Sequence, residues 1–284
     1  MHIVVCVKDV FHPHDLRLPA NGQKSPDGLR MPNRADECAV ELAVRLRDQE
    51  GGRVTLLSIA PPEAEETLES LVGLGADALV RVWEARLAEA DVAAVASVLA
   101  AVMRRQQAGL ALCGDRAVGG AGTGLTGPLL AEILGWPFVG GAVALEAGKK
   151  EGMVVTRLIE RGDRQVLYTP LPAVVAVSPE ALTPGYPALA KIRRAKREVC
   201  GLEGIASEAE ALSAPLPMTV IDWAIAKPRP RKLFAPPSTA SAADRLKMVM
   251  GGGMAKKAQD SSVEAPPEKA AEQILQFLRQ EKLI

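Results

Sequence analysis

Short apolar runs alternate with amphipathic segments over the first two-thirds of the chain, and this alternation restricts the fold more than any other feature. His2–Val7, Val54–Ile59, Leu79–Val82 and Leu110–Cys113 are too short for helices and read as buried strands. Between the first two, Ala39, Leu42, Ala43 and Leu46 recur at helical spacing and form one apolar face. Leu68, Leu71 and Leu74 repeat that spacing after Pro61–Pro62, which suit a helix start, and Ala93–Met103 reads as a further helix. Strands and helices in turn, with short connections, predict an α/β fold: a mainly parallel twisted sheet with helices on both faces. Ligands of such sheets bind beyond the carboxyl ends of the strands.

After Val143 the rhythm changes. Val154–Ile159, Val166–Tyr168 and Ala173–Val177 read as strands joined by tight turns at Glu146–Gly152 and Arg161–Arg164, with no helices between them. They are expected to extend the sheet with antiparallel pairing. Pro184–Val199 reads as a Pro-led loop running into a basic segment. Beyond Pro215 a short strand-like piece, Met218–Ala224, precedes linker-like stretches. In the last segment, Lys269–Ile284, Ala270, Ile274, Leu275 and Leu278 recur at helical spacing. That lone amphipathic helix is expected to dock on a partner subunit or fold back on the core. The predicted division is a core over residues 1–202, including the loop 183–199, followed by an arm, linker and terminal helix over 203–284.

Lys plus Arg equals Asp plus Glu, at 34 each, so no global field selects nucleic acid or a membrane surface. Aromatic residues make up only 3% of the chain, which weighs against base stacking. No apolar stretch reaches the length of a membrane span, and MHIVVCVKDV lacks the basic flank and cleavage site of a signal peptide. Cys6, Cys38, Cys113 and Cys200 show no CxxC pairing, as expected of reduced thiols in a cytoplasmic protein.

The sharpest local signal is LALCGDRAVGGAGTGLTGPLLAEILGWP, over Leu110–Pro137. It reads as a buried strand, a glycine-rich turn and an amphipathic helix. Glycines let backbone N–H groups approach an anion closely, and the helix N-terminus adds unpaired donors and a positive dipole end. Such a turn holds a phosphate without a lysine. Flexible glycine loops at strand–helix junctions are common; five glycines among Gly114–Gly124, with hydroxyls at Thr123 and Thr126, raise the ligand reading above that alternative. No Gly-Lys-Ser/Thr follows, so nucleotide hydrolysis by a P-loop is not supported. Nor does the first strand lead into GxGxxG or an SGGxDS-like turn.

His12, His14 and Asp15 lie in a polar loop with no further ligand cluster and read as solvent-exposed rather than as a metal site. His2, His12 and His14 are the only histidines, and no nucleophile–base set is visible. Asp36–Glu37 and Glu65–Glu66 fall near helix starts, where the dipole accounts for them. In TPGYPALAKIRRAKREV, Leu189 beside a Pro/Gly loop, backed by Arg193, Arg194, Lys196 and Arg197, reads either as a solvated basic helix end or as a protruding contact element. In the second reading the charges steer an acidic partner and the leucine anchors it.

Several separated stretches resemble one family, the β subunit of electron transfer flavoproteins, including the FixA type. They are VVCVKDV at the first strand, PNRADECAVELAVRL over Pro32–Leu46 and ETLESLVGLGAD over Glu66–Asp77. The glycine-rich turn with its later Gly-Trp-Pro, LPAVVAVSPEALTPGYPALAKIRRAKREV and the terminal Leu-Ile complete the set. The resemblance implies an adenine nucleotide α-hydrolase-like α/β core that pairs with an α subunit. FAD would sit mainly on the α subunit, with AMP or a second, electron-bifurcating FAD in this chain. Carried onto this sequence, that nucleotide site falls on Cys6, Asn33, Arg34, Ala35, Asp36 and Ile59. The loop residues Gly114, Asp115, Arg116, Ala117, Val118, Gly119, Gly120, Ala121, Gly122, Thr123, Gly124, Leu125 and Thr126 complete it. Backbone amides would cradle the phosphate while Cys6 and Ile59 wall the adenine. Leu189, with Tyr186, Arg193 and Arg194, takes the place of the element that docks partner dehydrogenases. The loop departs from the family's usual acidic and amide residues, and Arg34 replaces a common proline, adding a cation.

The resemblance thus implies a non-hydrolytic electron carrier. It would accept electrons from flavin dehydrogenases, such as acyl-CoA dehydrogenases, and pass them to a redox partner such as a quinone oxidoreductase. No nucleic acid, metal or membrane insertion is expected. The alternative is a stand-alone adenine-nucleotide-binding or sensing module of the universal-stress type, which has no use for the segment past Pro170.

Overall fold

The computed structural model describes residues 1–15, 28–120, 122–148, 152–205, 241–250 and 266–280. The strands in chain order are β1 (His2–Cys6), β2 (Asp9–Phe11), β3 (Arg30–Pro32), β4 (Arg53–Ile59), β5 (Ala78–Val82) and β6 (Leu110–Gly114). They continue as β7 (Phe138–Ala147), β8 (Gly152–Leu158), β9 (Arg164–Pro170), β10 (Ala173–Val177) and β11 (Lys196–Cys200). The helices are α1 (Arg34–Glu50), α2 (Glu65–Val72), α3 (Val92–Arg105), α4 (Thr126–Leu134), α5 (Leu189–Arg194), α6 (Ala242–Met250) and α7 (Pro267–Gln280).

Nine strands form one sheet in the order β11-β5-β4-β1-β6-β10-β7-β8-β9. Neighbours from β11 through β7 are parallel, and β8 and β9 add an antiparallel hairpin beside β7. The α/β sheet expected from the alternation is thus present. The pleat sorts β1 between two cores: Ile3 and Val5 face one layer with Leu42, Leu46, Leu68 and Leu71, while Val4 and Cys6 face the other with Val98, Val102, Met103 and Leu130. α3 starts where the Asp91 carboxylate accepts from Ala94 N at 2.8 Å. α4 ends at left-handed Gly135, with Trp136 N bonded to Ala131 O at 2.9 Å, a Schellman stop.

Two expectations need correction. Ala173–Val177 does not extend the antiparallel edge; it inserts between β6 and β7, parallel to both. All five of its residues are buried, which suits a strand covered on both faces rather than one alternating between core and water. The basic stretch after Arg194 is not merely loop: Lys196–Cys200 pairs with β5 and ends the sheet. Its charged, exposed side chains are those of an edge strand. The hairpin partner of β8 is β7, which begins at Phe138, before the point where the sequence rhythm changes. A small hairpin of β2 with β3, formed by the segment after β1, was not apparent from the sequence.

The chain divides into two compact units, Met1–Ala224 and Ile225–Ile284. In the second, Ser241 caps α6, accepting from Asp244 N at 3.2 Å while its hydroxyl bonds the Asp244 carboxylate at 2.6 Å. α7 opens on Pro267 and leaves Ile274, Leu275 and Phe277 exposed. The strand-like piece Met218–Ala224, the intervening linkers and residues 281–284 lie outside the described residues.

Candidate functional site

The topological switch point of the sheet lies between β1 and β6. The chain leaves β1 for one side of the sheet and β6 for the other, and ligands of open α/β sheets bind in the crevice so formed. Register places Cys6 beside Cys113 on one neighbour and beside Leu57 on the other, so Cys6, Ile59 and Gly114 all fall at adjacent carboxyl ends. The glycine-rich turn, Gly114–Leu125, begins at this point and feeds α4.

Two buried polar side chains at the start of α1 tie these ends together. Asn33 is 1% exposed and Asp36 5%. The Asp36 carboxylate accepts from Lys8 N at 2.8 Å on the β1 side, and from Gly114 N and Asn33 Nδ2 at 3.0 Å each. Asn33 stands at the N-cap of α1 but does not cap it. Its amide instead donates to Arg116 O at 3.1 Å and accepts from Val118 N at 3.2 Å, pinning the first half of the turn. Asp36 is therefore more than a charge near a helix start. Burial drives its carboxyl up to about 7, and the bonds from Asn33, Lys8 and Gly114 pull the other way.

Beyond Val118 the turn doubles back. A Cβ on Gly124 would stand 2.8 Å from the Asp115 carbonyl, and one on Gly119 would stand 3.2 Å from Val10 Cβ. Gly120, at the tip, has a left-handed φ of +73°, and the Lys8 ammonium lies 3.0 Å from where its Cβ would be. The cradle read from sequence as needing no lysine thus has one beside its tip, supplied by the segment after β1. The sequence held Lys8 only as part of a motif; its place beside Gly120 depends on the pairing of β1 with β6.

The remaining predicted site residues divide by environment. Cys6 is buried, and burial, then the neighbouring Cys113, push its thiol well up. Cys113 is pushed up to about 12 by burial and by Asp36 and Asp115, so neither sulfur suits nucleophilic chemistry. Ala35 packs against Gly114, where a Cβ would stand 2.8 Å from that of Ala35 and overlap the Asp36 carboxylate. Ile59 is half-buried at the end of β4. Arg34 turns toward Glu37, at 3.6 Å, and the Leu182 carbonyl, at 3.4 Å. Asp115, Ala117, Gly122 and Thr126 are half-buried, whereas Arg116, Val118, Thr123 and Leu125 are exposed. The Thr123 hydroxyl accepts from Leu125 N at 3.3 Å, just before α4. Ala121 lies outside the described residues.

The second predicted element stands at the opposite end of the sheet, because α2 runs from the carboxyl end of β4 back to the start of β5. Ala188 N bonds Gly73 O at 2.9 Å and Lys191 Nζ bonds Leu74 O at 2.9 Å, just past the C-terminus of α2. Arg197 pairs with Glu69 at 2.7 Å. On this pinned base Tyr186 is 96% exposed, Leu189 is 60% exposed, and Arg193 and Arg194 also face solvent. A groove of about 250 Å³ lies elsewhere, between α1 and β7. The His12 and His14 rings lie 5.6 Å apart, tilted by 48°, in the turn after β2. Among the described residues no group of three or more His, Cys, Asp or Glu is gathered for a metal, and no helix is long and apolar enough to cross a membrane.

Residues 28–202 match the electron transfer flavoprotein domain, a span that includes the exposed element past Pro170. The chain is 33% identical to an electron transfer flavoprotein subunit beta of Chromohalobacter salexigens over 259 residues, covering 88% of this chain and 89% of that one. It is 31% identical over 200 residues to the subunit beta of Bacillus subtilis, covering 70% and 77%. A FixA protein of Azotobacter vinelandii is 31% identical over 186 residues, covering 62% and 65%. With the parallel sheet and its strand-end turn, these matches show that the chain belongs to the electron transfer flavoprotein family, as one of its β subunits.

Proposed function

We propose that this chain pairs with an α subunit as a heterodimeric electron carrier and holds AMP at the turn between β6 and α4. β subunits of this family are electron carriers, not enzymes. The observation that carries the nucleotide assignment is the clamp at the switch point: Asn33 and Asp36 fix the glycine-rich turn and the Lys8 backbone in one register. The donor set suits a phosphate, combining backbone N–H groups of a glycine turn, the start of α4 and one ammonium. The apolar strand ends at Cys6 and Ile59 suit the face of an adenine.

FAD, held mainly by the α subunit, supplies the electron chemistry when bound; the residues of this chain dock, scaffold and bind nucleotide. Flavin dehydrogenases of the acyl-CoA type are the proposed donors, docking at Tyr186 and Leu189, with a quinone oxidoreductase as acceptor. A nucleotide at the turn is remote from that docking element, at the other end of the sheet, which favours a structural AMP over a second redox-active FAD. Co-expression with the α subunit tests the carrier reading. The heterodimer should be yellow and reducible by a flavin dehydrogenase, with little flavin on this chain alone; a stable, colourless heterodimer refutes it.

A further inference from the structure

Lys8 stands beside the turn, and the clamp uses its backbone but not its side chain. Its backbone is fixed on both sides: Lys8 N donates to Asp36 at 2.8 Å, and Lys8 O accepts from Asn33 N at 3.3 Å. Its side chain is exposed, and among the described residues it forms no ion pair. The Lys8 charge acts on the Asp36 carboxyl, but the bond between the two residues runs from Lys8 N, and among the described residues no ion pair joins their side chains. The ammonium lies beside Gly120, 3.0 Å from where a Cβ on that residue would be. Gly120 is left-handed and carries no side chain, so the ammonium stands directly beside the backbone of the turn.

We propose that Lys8 is the cation that contacts the nucleotide's phosphate, reaching from the β1 side while the turn and α4 reach from the β6 side. This rests on reading the turn as the nucleotide site and adds a residue to it. A lysine binds phosphate as a point charge, so its contribution falls on the phosphate and not on the adenosine. Arg34 does not replace it, because its guanidinium is turned toward Glu37 and Leu182.

The test is titration of the nucleotide-depleted heterodimer with AMP and, separately, with adenosine, for wild type, Lys8→Met and Lys8→Arg. Loss of one charge-assisted contact should weaken AMP on the order of 10- to 100-fold in Lys8→Met. Adenosine affinity should stay within about 2-fold, and Lys8→Arg should recover most of the AMP affinity. Phosphorus NMR gives a readout that a merely structural role would not move: the bound AMP phosphate should titrate at lower pH in wild type than in Lys8→Met. Equal losses for AMP and adenosine mean that Lys8 props the turn, and they overturn the proposal. So does a Lys8→Met variant that binds AMP like wild type, which leaves the site itself standing. A wild-type heterodimer that takes up neither AMP nor FAD at this site overturns the site and the role of Lys8 together.

Discussion

Replacing Gly114 by alanine tests the clamp most sharply, because the added methyl has nowhere to go. Its Cβ would overlap the Asp36 carboxylate, stand 2.8 Å from Ala35 Cβ and stand 3.1 Å from Asn33 Nδ2. All three neighbours are buried, so relief requires moving the carboxylate or the end of β6. Overpacking of this kind costs roughly 1–3 kcal/mol. Moving the carboxylate also weakens the bond from Gly114 N, a charged-acceptor contact worth about 1.5–3 kcal/mol. The two losses overlap, and a net destabilisation of about 3 kcal/mol is expected. Urea denaturation of the heterodimer reads the stability, and chromatography of the acid-released nucleotide reads the site; Gly114→Ala should be less stable and retain little AMP. In an Asp36→Ala background the carboxylate and its bond are gone, so the added cost should shrink to what the overlap with Ala35 Cβ alone imposes. A Gly114→Ala protein within about 0.5 kcal/mol of wild type with its nucleotide intact would refute the clamp.

Other perturbations address other parts of the account. Leu189→Ala should slow reduction by a flavin dehydrogenase on the order of 10- to 30-fold, with flavin content unchanged; flavin loss in stopped-flow samples would contradict a docking role. Because burial raises the Asp36 carboxyl to about 7, the folded chain keeps a proton that the unfolded chain releases near pH 4. Stability contributed by this group therefore falls as pH rises from about 4 to about 7, by up to about 1.4 kcal/mol per pH unit. Asp36→Asn should abolish that slope, so its deficit relative to wild type shrinks with rising pH; a deficit that grows toward neutral pH would reverse the sign of the argument. Gly135→Ala, at a left-handed φ of +69° with no atom within 4 Å of the new methyl, should cost about 1 kcal/mol by thermal denaturation and leave nucleotide content alone.

The sheet was legible wherever hydrophobic period and connection length agreed, as along His2–Val7, Ala39–Leu46 and Ala93–Met103. It was misread where neighbours in sequence are not neighbours in space. Ala173–Val177 follows two antiparallel strands and invites a third, yet its unbroken apolar run already has the composition of a strand buried on both faces. Lys196–Cys200 hides its strand character because an edge strand carries the charges of a solvated loop. At the candidate site, glycine content identified the turn. It could not show that Asp36 reaches across to Gly114 and Lys8, since those bonds span 78 and 28 residues and exist only once β1 and β6 are paired. Lys8 was missed for the same reason.

The central claim is that this chain carries an adenine nucleotide at the turn after β6, within a flavin-bearing heterodimer. Quantifying nucleotides released from the purified complex tests it directly. The account predicts one FAD and one AMP per heterodimer, with the AMP lost in Gly114→Ala while the FAD remains. A complex with one FAD and no further nucleotide would contradict the site, and one with two FAD and no AMP would contradict the assignment of its ligand.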